Sequence, residues 1–364
     1  MRTPFSSILF ITVILVSSTL ASTTLSINNS GSVSGPPIGK WFDYVVVIMM
    51  ENHSINNTYG ISVAPNSWNS NSQTCLGNCT YFNSLANSNG LAEAYTIDGI
   101  QSGSIGDYIA ITSGYGNTLQ ACNTNAPGPS GTSSCPFLQI PNIVDRLESA
   151  GLTWKAYMEG YPFPSTCFTN DAGGSNNYHF NHNPFIYYAD IENNTNRCSH
   201  IVSANSATVN QNACWPTALP NDDVLINDLN SPSTASNYMF LTPNTVDDIH
   251  DCNDVSVGNA YLNRVIPQIL GSALFTTRKA ALFVTFDEKD CTLSMPACPS
   301  AAPDLYTVWA SNPANPTTFS GVKSVKSYTH YSALKTIEDN WNLPPLISST
   351  DGSASNMSEF LRTH

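Results

Sequence analysis

The chain has 364 residues, only 11% of them charged, with a formal net charge of −13 and a pI near 4.7; typical soluble proteins carry about 25% charged residues. Thirteen Lys and Arg against twenty-six carboxylates exclude a basic face for nucleic acid. A surface of Ser, Thr, Asn and Gln stays hydrated when carboxylates protonate, which fits either an acidic working medium or an acidic, glycosylated extracellular protein.

Met1–Ala21 has one basic residue, Arg2, an apolar stretch Ile8–Val16, and small residues ending in Ala21. That is the layout of a secretory signal peptide, the alternative being an uncleaved anchor. The apolar stretch is short for a membrane span, so no stable span is expected once the signal is removed. Residues 22–40 read as a flexible leader, 41–350 as one catalytic domain, and 351–364 as a tail. Polar, cysteine-bearing stretches near 60–90 and 165–235 read as cap insertions.

The clearest strand is Tyr44–Met50, apolar throughout and rich in β-branched residues, as a central strand buried on both faces requires. Helix-like segments follow at Ile105–Ser113 and Asn142–Ala150, then strands at Thr153–Tyr157 and Tyr238–Leu241. A helix at Gly258–Leu270, strands at Ala281–Phe286 and Tyr306–Ala310, and a helix at Tyr331–Trp341 complete the alternation. Such alternation predicts an α/β protein with a mostly parallel sheet covered by helices on both faces. Ten cysteines fit an exported, disulfide-bonded chain, with Cys75/Cys79, Cys122/Cys135 and Cys291/Cys298 close enough to pair locally. Cys167, Cys198, Cys214 and Cys252 would then pair among themselves. Sequons at Asn28, Asn56, Asn78, Asn193 and Asn356 permit glycosylation.

In open α/β sheets ligands bind beyond the carboxyl ends of the strands. Here the first strand runs into Glu51-Asn52, the Ala281–Phe286 strand into Asp287-Glu288, the Tyr238–Leu241 strand into a loop with Asp247, Asp248, His250 and Asp251, and the Thr153–Tyr157 strand toward Glu159. Glu51, Asn52, Asp287 and Glu288 offer only oxygen ligands, a set suited to one hard or borderline divalent cation; Glu159, Asp248 and Asp251 are possible additional ligands. Carboxylates held so close repel one another unless a cation lies between them. Ser104 opens the Ile105–Ser113 helix, where free N–H groups favour a phosphate. It is the candidate nucleophile and a further metal contact, with Ser102 as the alternative. His182, His250 and His330 are candidates for charge stabilisation and protonation of the leaving oxygen; His53, His179 and His200 have no comparable setting.

These segments resemble a known family. The run FDYVVVIMMENHSINNTYG resembles the opening block of the phosphoesterase family that contains bacterial and archaeal phospholipases C and acid phosphatases, usually M-E-N-x-S-F-D. SGSIGDYIAITSG, HNPFIYY, LTPNTVDDIHDCN, LFVTFDEKD and THYSALKTIEDNWNLPPL resemble its later blocks in the same order, over roughly residues 42–346. The resemblance implies a three-layer α/β/α sandwich of alkaline-phosphatase type and a metal-bound Ser or Thr nucleophile. It also implies metal-site roles for Glu51, Asn52, Ser104, Asp287 and Glu288 and phosphate-side roles for His182 and His250. His330, Glu159, Asp248 and Asp251 carry over less directly. The chain departs at Ile55-Asn56, where Phe-Asp is usual, and at Gly103 and Gly106, where the family often has Pro. The expected function is a secreted metal-dependent acid phosphatase that cleaves small phosphate monoesters through a phosphoserine. The alternatives are a phospholipase C-type phosphodiesterase and, from another class, a non-catalytic secreted binding protein on the same fold.

Overall fold

The computed structural model describes residues 38–59, 79–97, 103–116, 119–162, 167–172, 177–207, 214, 221–252, 254–288 and 305–363. The signal-peptide segment, most of the leader, Ser102, Cys75, Cys291, Cys298, Asn28 and Asn78 lie outside these residues.

Among the described residues the strands are β1 (Tyr44–Met50), β2 (Gly90–Ala92), β3 (Trp154–Met158), β4 (Ile201–Ser203), β5 (Tyr238–Thr242), β6 (Ala280–Phe286), β7 (Thr307–Ala310) and β8 (Lys323–Ser324). They form one sheet in the order β4-β3-β5-β1-β6-β7-β2-β8. From β4 to β6 every neighbouring pair is parallel; β7 runs antiparallel to both β6 and β2, so the sheet is mixed at that side. Flanking helices complete a three-layer α/β/α arrangement. β1 is central because it can be: six of its seven residues are buried. Each Val, Ile or Met so enclosed contributes about 1.5–3 kcal/mol relative to exposure.

The register places the chemistry. Met50 lies opposite Phe286, so Glu51 and Asp287 emerge side by side; Met158 lies opposite Thr242, so Glu159 emerges beside the loop after β5. Backbone bonds continue past the strand ends, from Asp287 N–H to Met50 O at 3.0 Å, Glu51 N–H to Asp248 O at 3.1 Å and Glu159 N–H to Thr242 O at 2.9 Å. The four acidic ends are therefore set along one edge of the sheet by the ladder itself.

The helix Ser104–Ser113 is buried along its whole length and packs against the helix His330–Asn340. Parts of the stretches near 60–90 and 165–235 enter the core: helix Thr80–Ser88 buries Phe82, Leu85 and Ala86, and the short turns Phe180–His182 and Pro184–Tyr187 are buried throughout. Their polar residues make turns and caps while interspersed aromatics enter the core; Asn183, for example, caps the second turn by accepting from Phe185 N–H. Met357, Phe360 and Leu361 are buried, and Phe360 lies against Gly90, where any added Cβ would meet its ring at 2.7 Å.

Disulfides join Cys122 to Cys135, Cys167 to Cys198 and Cys214 to Cys252. No helix of the described residues is long and apolar enough to cross a membrane.

Candidate active site

Glu51 is the hub. Its carboxylate is fully buried and accepts from Ser104 Oγ–H at 2.9 Å, Tyr108 O–H at 2.6 Å and Asn52 Nδ2–H at 3.3 Å. Asp287 lies alongside and accepts from the backbone N–H groups of Asn52 (2.8 Å) and Glu288. Asn52 reaches this position with φ 53°, a left-handed conformation that Asn tolerates better than most residues. Glu288 is half-buried beside Asp287.

Ser104 is the first residue of its helix, and the preceding Gly103 has φ 79°. Proline, fixed near −65°, cannot adopt that angle. The family's usual Pro is thus replaced by a glycine-dependent turn that still presents the serine to Glu51. A Cβ at Gly103 would also strike the Asn123 side chain at 2.5 Å.

On the facing side His182 is buried, 3.4 Å from Glu51 Oε1 and 3.2 Å from Asp248 Oδ2, contacts without hydrogen-bond alignment. Its ring stacks on Tyr108 and lies 5.1 Å from that of His250. His250 donates its backbone N–H to Asp248 Oδ1 and pairs its Nδ1 with Asp251 Oδ1, both within 2.8 Å. Asp251, held also by Thr245 Oγ1–H, therefore orients His250 and does not join the central carboxylates. Ile249, between these residues, has φ 84°, a strained angle for a β-branched side chain; burial beneath Gly258 holds it there.

Two candidates are placed elsewhere. His330 stands behind Asp287, not in the pocket. Its Nε2–H donates to the Asp287 carbonyl at 2.6 Å, which fixes the tautomer, and Nδ1 faces the Tyr95 hydroxyl at 3.0 Å. Burial lowers its pKa to about 4, so it is a neutral buttress. Glu159 accepts from Asn244 N–H and Nδ2–H, at 2.9 and 3.0 Å, and faces Asp222 and Asp247, not Glu51.

Two residues near the site were not legible beforehand. Tyr108 bonds the hub directly, but one turn into an apolar helix it reads as core. His179 stacks on His182 at 5.2 Å and lies 3.2 Å from Asp171. The only available signal was the i, i+3 spacing of His179 and His182. His53 and His200 stay structural: His53 Nδ1–H bonds the Glu51 carbonyl at 2.7 Å, and His200 packs edge-on to Trp154.

Burial, then Asp287 and Asp248, push the Glu51 carboxyl well above its usual range, and burial raises Asp248 and Asp287 as well. Burial and the two nearby imidazoles push His182 well below its usual value, so it supplies no compensating charge. Among the described residues, Asn52 Oδ1, Asp248 Oδ2 and Asp287 Oδ2 are buried without an aligned hydrogen-bond donor. Crowded carboxylates with orphaned oxygens fit a divalent cation, and Glu51, His182 and His250 also offer ligand atoms within 4.8 Å of one another.

The fold is similar to that of a solved protein in the alkaline phosphatase superfamily. A solved member from Vibrio parahaemolyticus superimposes with a TM-score of 0.52 at 11% identity, covering 85% of this chain and 69% of that one. The phosphoesterase family matches residues 76–344, and the chain belongs to that family. Its curated relatives include a phosphate-repressible acid phosphatase from Penicillium chrysogenum, 28% identical over 59% of this chain and 47% of the relative. An acid phosphatase from Aspergillus niger is 26% identical over 59% and 46%. The chain spans about half the length of the curated relatives it matches.

Proposed function

We propose that this protein is a metal-dependent hydrolase of phosphate monoesters, an acid phosphatase with Ser104 as nucleophile. The observation that carries the reading is the Ser104 hydroxyl, at a buried helix N-terminus, bonded to a carboxylate that two other buried carboxylates crowd.

Glu51, Asn52, Ser104, Asp287 and Glu288 would hold one divalent cation, which supplies charge neutralisation and Lewis acidity toward phosphoryl oxygens. Ser104 lies where its proton has an acceptor, Glu51 Oε2 at 2.9 Å. The first-turn N–H groups of its helix favour a phosphoryl group there. Attack by Oγ forms a phosphoserine and expels the alcohol; water then hydrolyses the phosphoserine and restores Ser104. Tyr108 fixes the other oxygen of Glu51 and, through its stacked ring, the plane of His182. His182 and His250 would lie on the phosphate side of the site, His182 as a neutral hydrogen-bond donor to phosphoryl oxygens and the half-buried His250 as the group that protonates the leaving oxygen. Three disulfides support placement in an oxidising compartment, outside the cytosol.

Ser104→Ala should fold, keep its bound metal and lose p-nitrophenyl phosphate turnover by at least about 10³-fold. It should also fail to trap ³²P-labelled phosphoenzyme on acid quench. Full activity in that variant, or a clear preference of the native protein for p-nitrophenyl phosphorylcholine, would overturn the reading.

A further inference from the structure

Among the described residues five other than glycine have a positive φ, and four of them are Asn or Asp: Asn52, Asn177, Asp222 and Asn342. Those side chains tolerate the left-handed region. The fifth is Ile249, at φ 84°, where a β-branched side chain is strained. A turn that needed only this angle would carry Gly or Asn. The isoleucine side chain itself is therefore what this turn requires.

Its contact is a second local anomaly. Ile249 is 0% exposed, and its side chain fills a notch over Gly258, in the first turn of the helix Ser256–Gly271. A Cβ at Gly258 would lie 2.4 Å from both Cγ1 and Cδ1 of Ile249, and 3.2 Å from Cε of Met50, the residue before Glu51. Glycine within a helix is less favourable than alanine. A strained isoleucine and a helical glycine thus meet in one contact, and each accounts for the other.

The contact holds the residues on either side of Ile249. The Asp248 carbonyl accepts from Glu51 N–H at 3.1 Å, and Asp248 Oδ1 accepts from His250 N–H at 2.7 Å. His250 in turn brings its ring to 5.1 Å from that of His182. The backbone bonds made by Ile249 itself are long, from its N–H to Val246 O at 3.2 Å and from Cys252 N–H to its carbonyl at 3.3 Å. Its buried side chain is the firmer anchor.

We propose that Ile249 and Gly258 form a knob and notch that clamp Asp248 and His250 in the site, and that both are positioning residues acting through these neighbours. The clamp stands whatever reaction the loop serves. Its kinetic consequence rests on the reading of His250 as the group that protonates the leaving oxygen.

The test is a double-variant cycle on the full chain. Gly258→Ala fills the notch, and Ile249→Ala removes the knob. In each, the amides of residues 248–252, corrected for intrinsic exchange, should exchange at least about tenfold faster, while those of β1 and β5 keep their rates. kcat/KM should fall about 100-fold for phenyl phosphate. It should fall only about tenfold for p-nitrophenyl phosphate, whose better leaving group has less need of an acid. The double variant should be no worse than Ile249→Ala alone, because the added methyl then enters vacated space. If Gly258→Ala does not fold, the double variant should, for the same reason. The clamp is overturned by loop exchange unchanged in either single variant, by single effects that multiply in the double variant, or by a double variant that fails to fold while Ile249→Ala folds. Faster exchange with equal losses on the two esters would support the clamp and overturn the leaving-group role of His250.

Discussion

Two acidic clusters stand on one sheet edge, built from the same kind of strand ending, and they have opposite chemistry. Around Glu159 the neighbours are donors: Asn244 and Asn205 serve its own carboxylate, Tyr261 serves Asp222 and Arg264 serves Asp247. Around Glu51 the neighbours are more acceptors, Asp248 and Asp287, with a His182 imidazole that burial keeps neutral, and several oxygens stay without donors. A closed cluster fixes geometry; an open one is poised for an external cation. An acidic residue after a strand says only that a carboxylate lies at the edge. The donors brought by other elements decide what it does.

The largest expected effect tests the open cluster. Asp287→Asn keeps the volume and still lets Asn52 N–H donate to the remaining carbonyl oxygen, but removes a charge from the proposed metal set. Turnover of p-nitrophenyl phosphate should fall about 10²–10³-fold. Bound metal, measured by elemental analysis, should fall with it while circular dichroism stays native. An Asp287→Asn protein with full metal content would show that this carboxylate is not a ligand.

Asn244→Ala tests the closed cluster. It removes one donor to Glu159 and leaves Val246 and Asp247 N–H without their side-chain acceptor. The cost should be about 1–3 kcal/mol of stability. Turnover should fall by no more than about tenfold, through misplacement of Asp248 and His250, and metal content should hold. If Asn244→Ala lost metal as completely as Asp287→Asn, the two clusters would be one site.

What the sequence made legible follows the same division. β1 and β6 are continuous apolar runs, so their ends, and with them Glu51 and Asp287, could be placed without coordinates. Ser104 was read at the start of the Ile105–Ser113 helix, with Ser102 as the alternative, and it is the first residue of that buried helix. β2 and β8 were invisible because two or three residues carry no periodicity; they are strands only because β7 offers a free edge and β2 then offers its own. The separation of Glu159 from Glu51 was equally hidden, since it depends on Asn205, Asp222 and Tyr261 arriving from distant segments. The bond of His330 to the Asp287 carbonyl was hidden for a related reason: a His beside a strand end can serve its backbone as readily as a substrate.

A third pair of acids, remote from both clusters, gives the smallest effect and the cleanest check on the shared physics. Glu338 and Asp351 meet beneath the turn at residues 346–351, where Leu346 N–H donates to both, at 2.9 and 2.8 Å. Burial, then Asp351, raises Glu338 to about 8, and its Oε2 lacks a donor among the described residues. This is the closed type, short of one hydrogen. The folded protein binds that proton between the ordinary carboxyl value, about 4.5, and about 8, so stability falls as pH rises through this window and is flat above it. Glu338→Gln supplies an N–H toward Asp351 without titrating. Its melting temperature should match the native one near pH 4.5 and exceed it by a few degrees at pH 8, with turnover and metal content unchanged. A Glu338→Gln shift that is constant with pH would mean the amide helps by packing, and would weaken the claim that this buried acid pair is held by a proton.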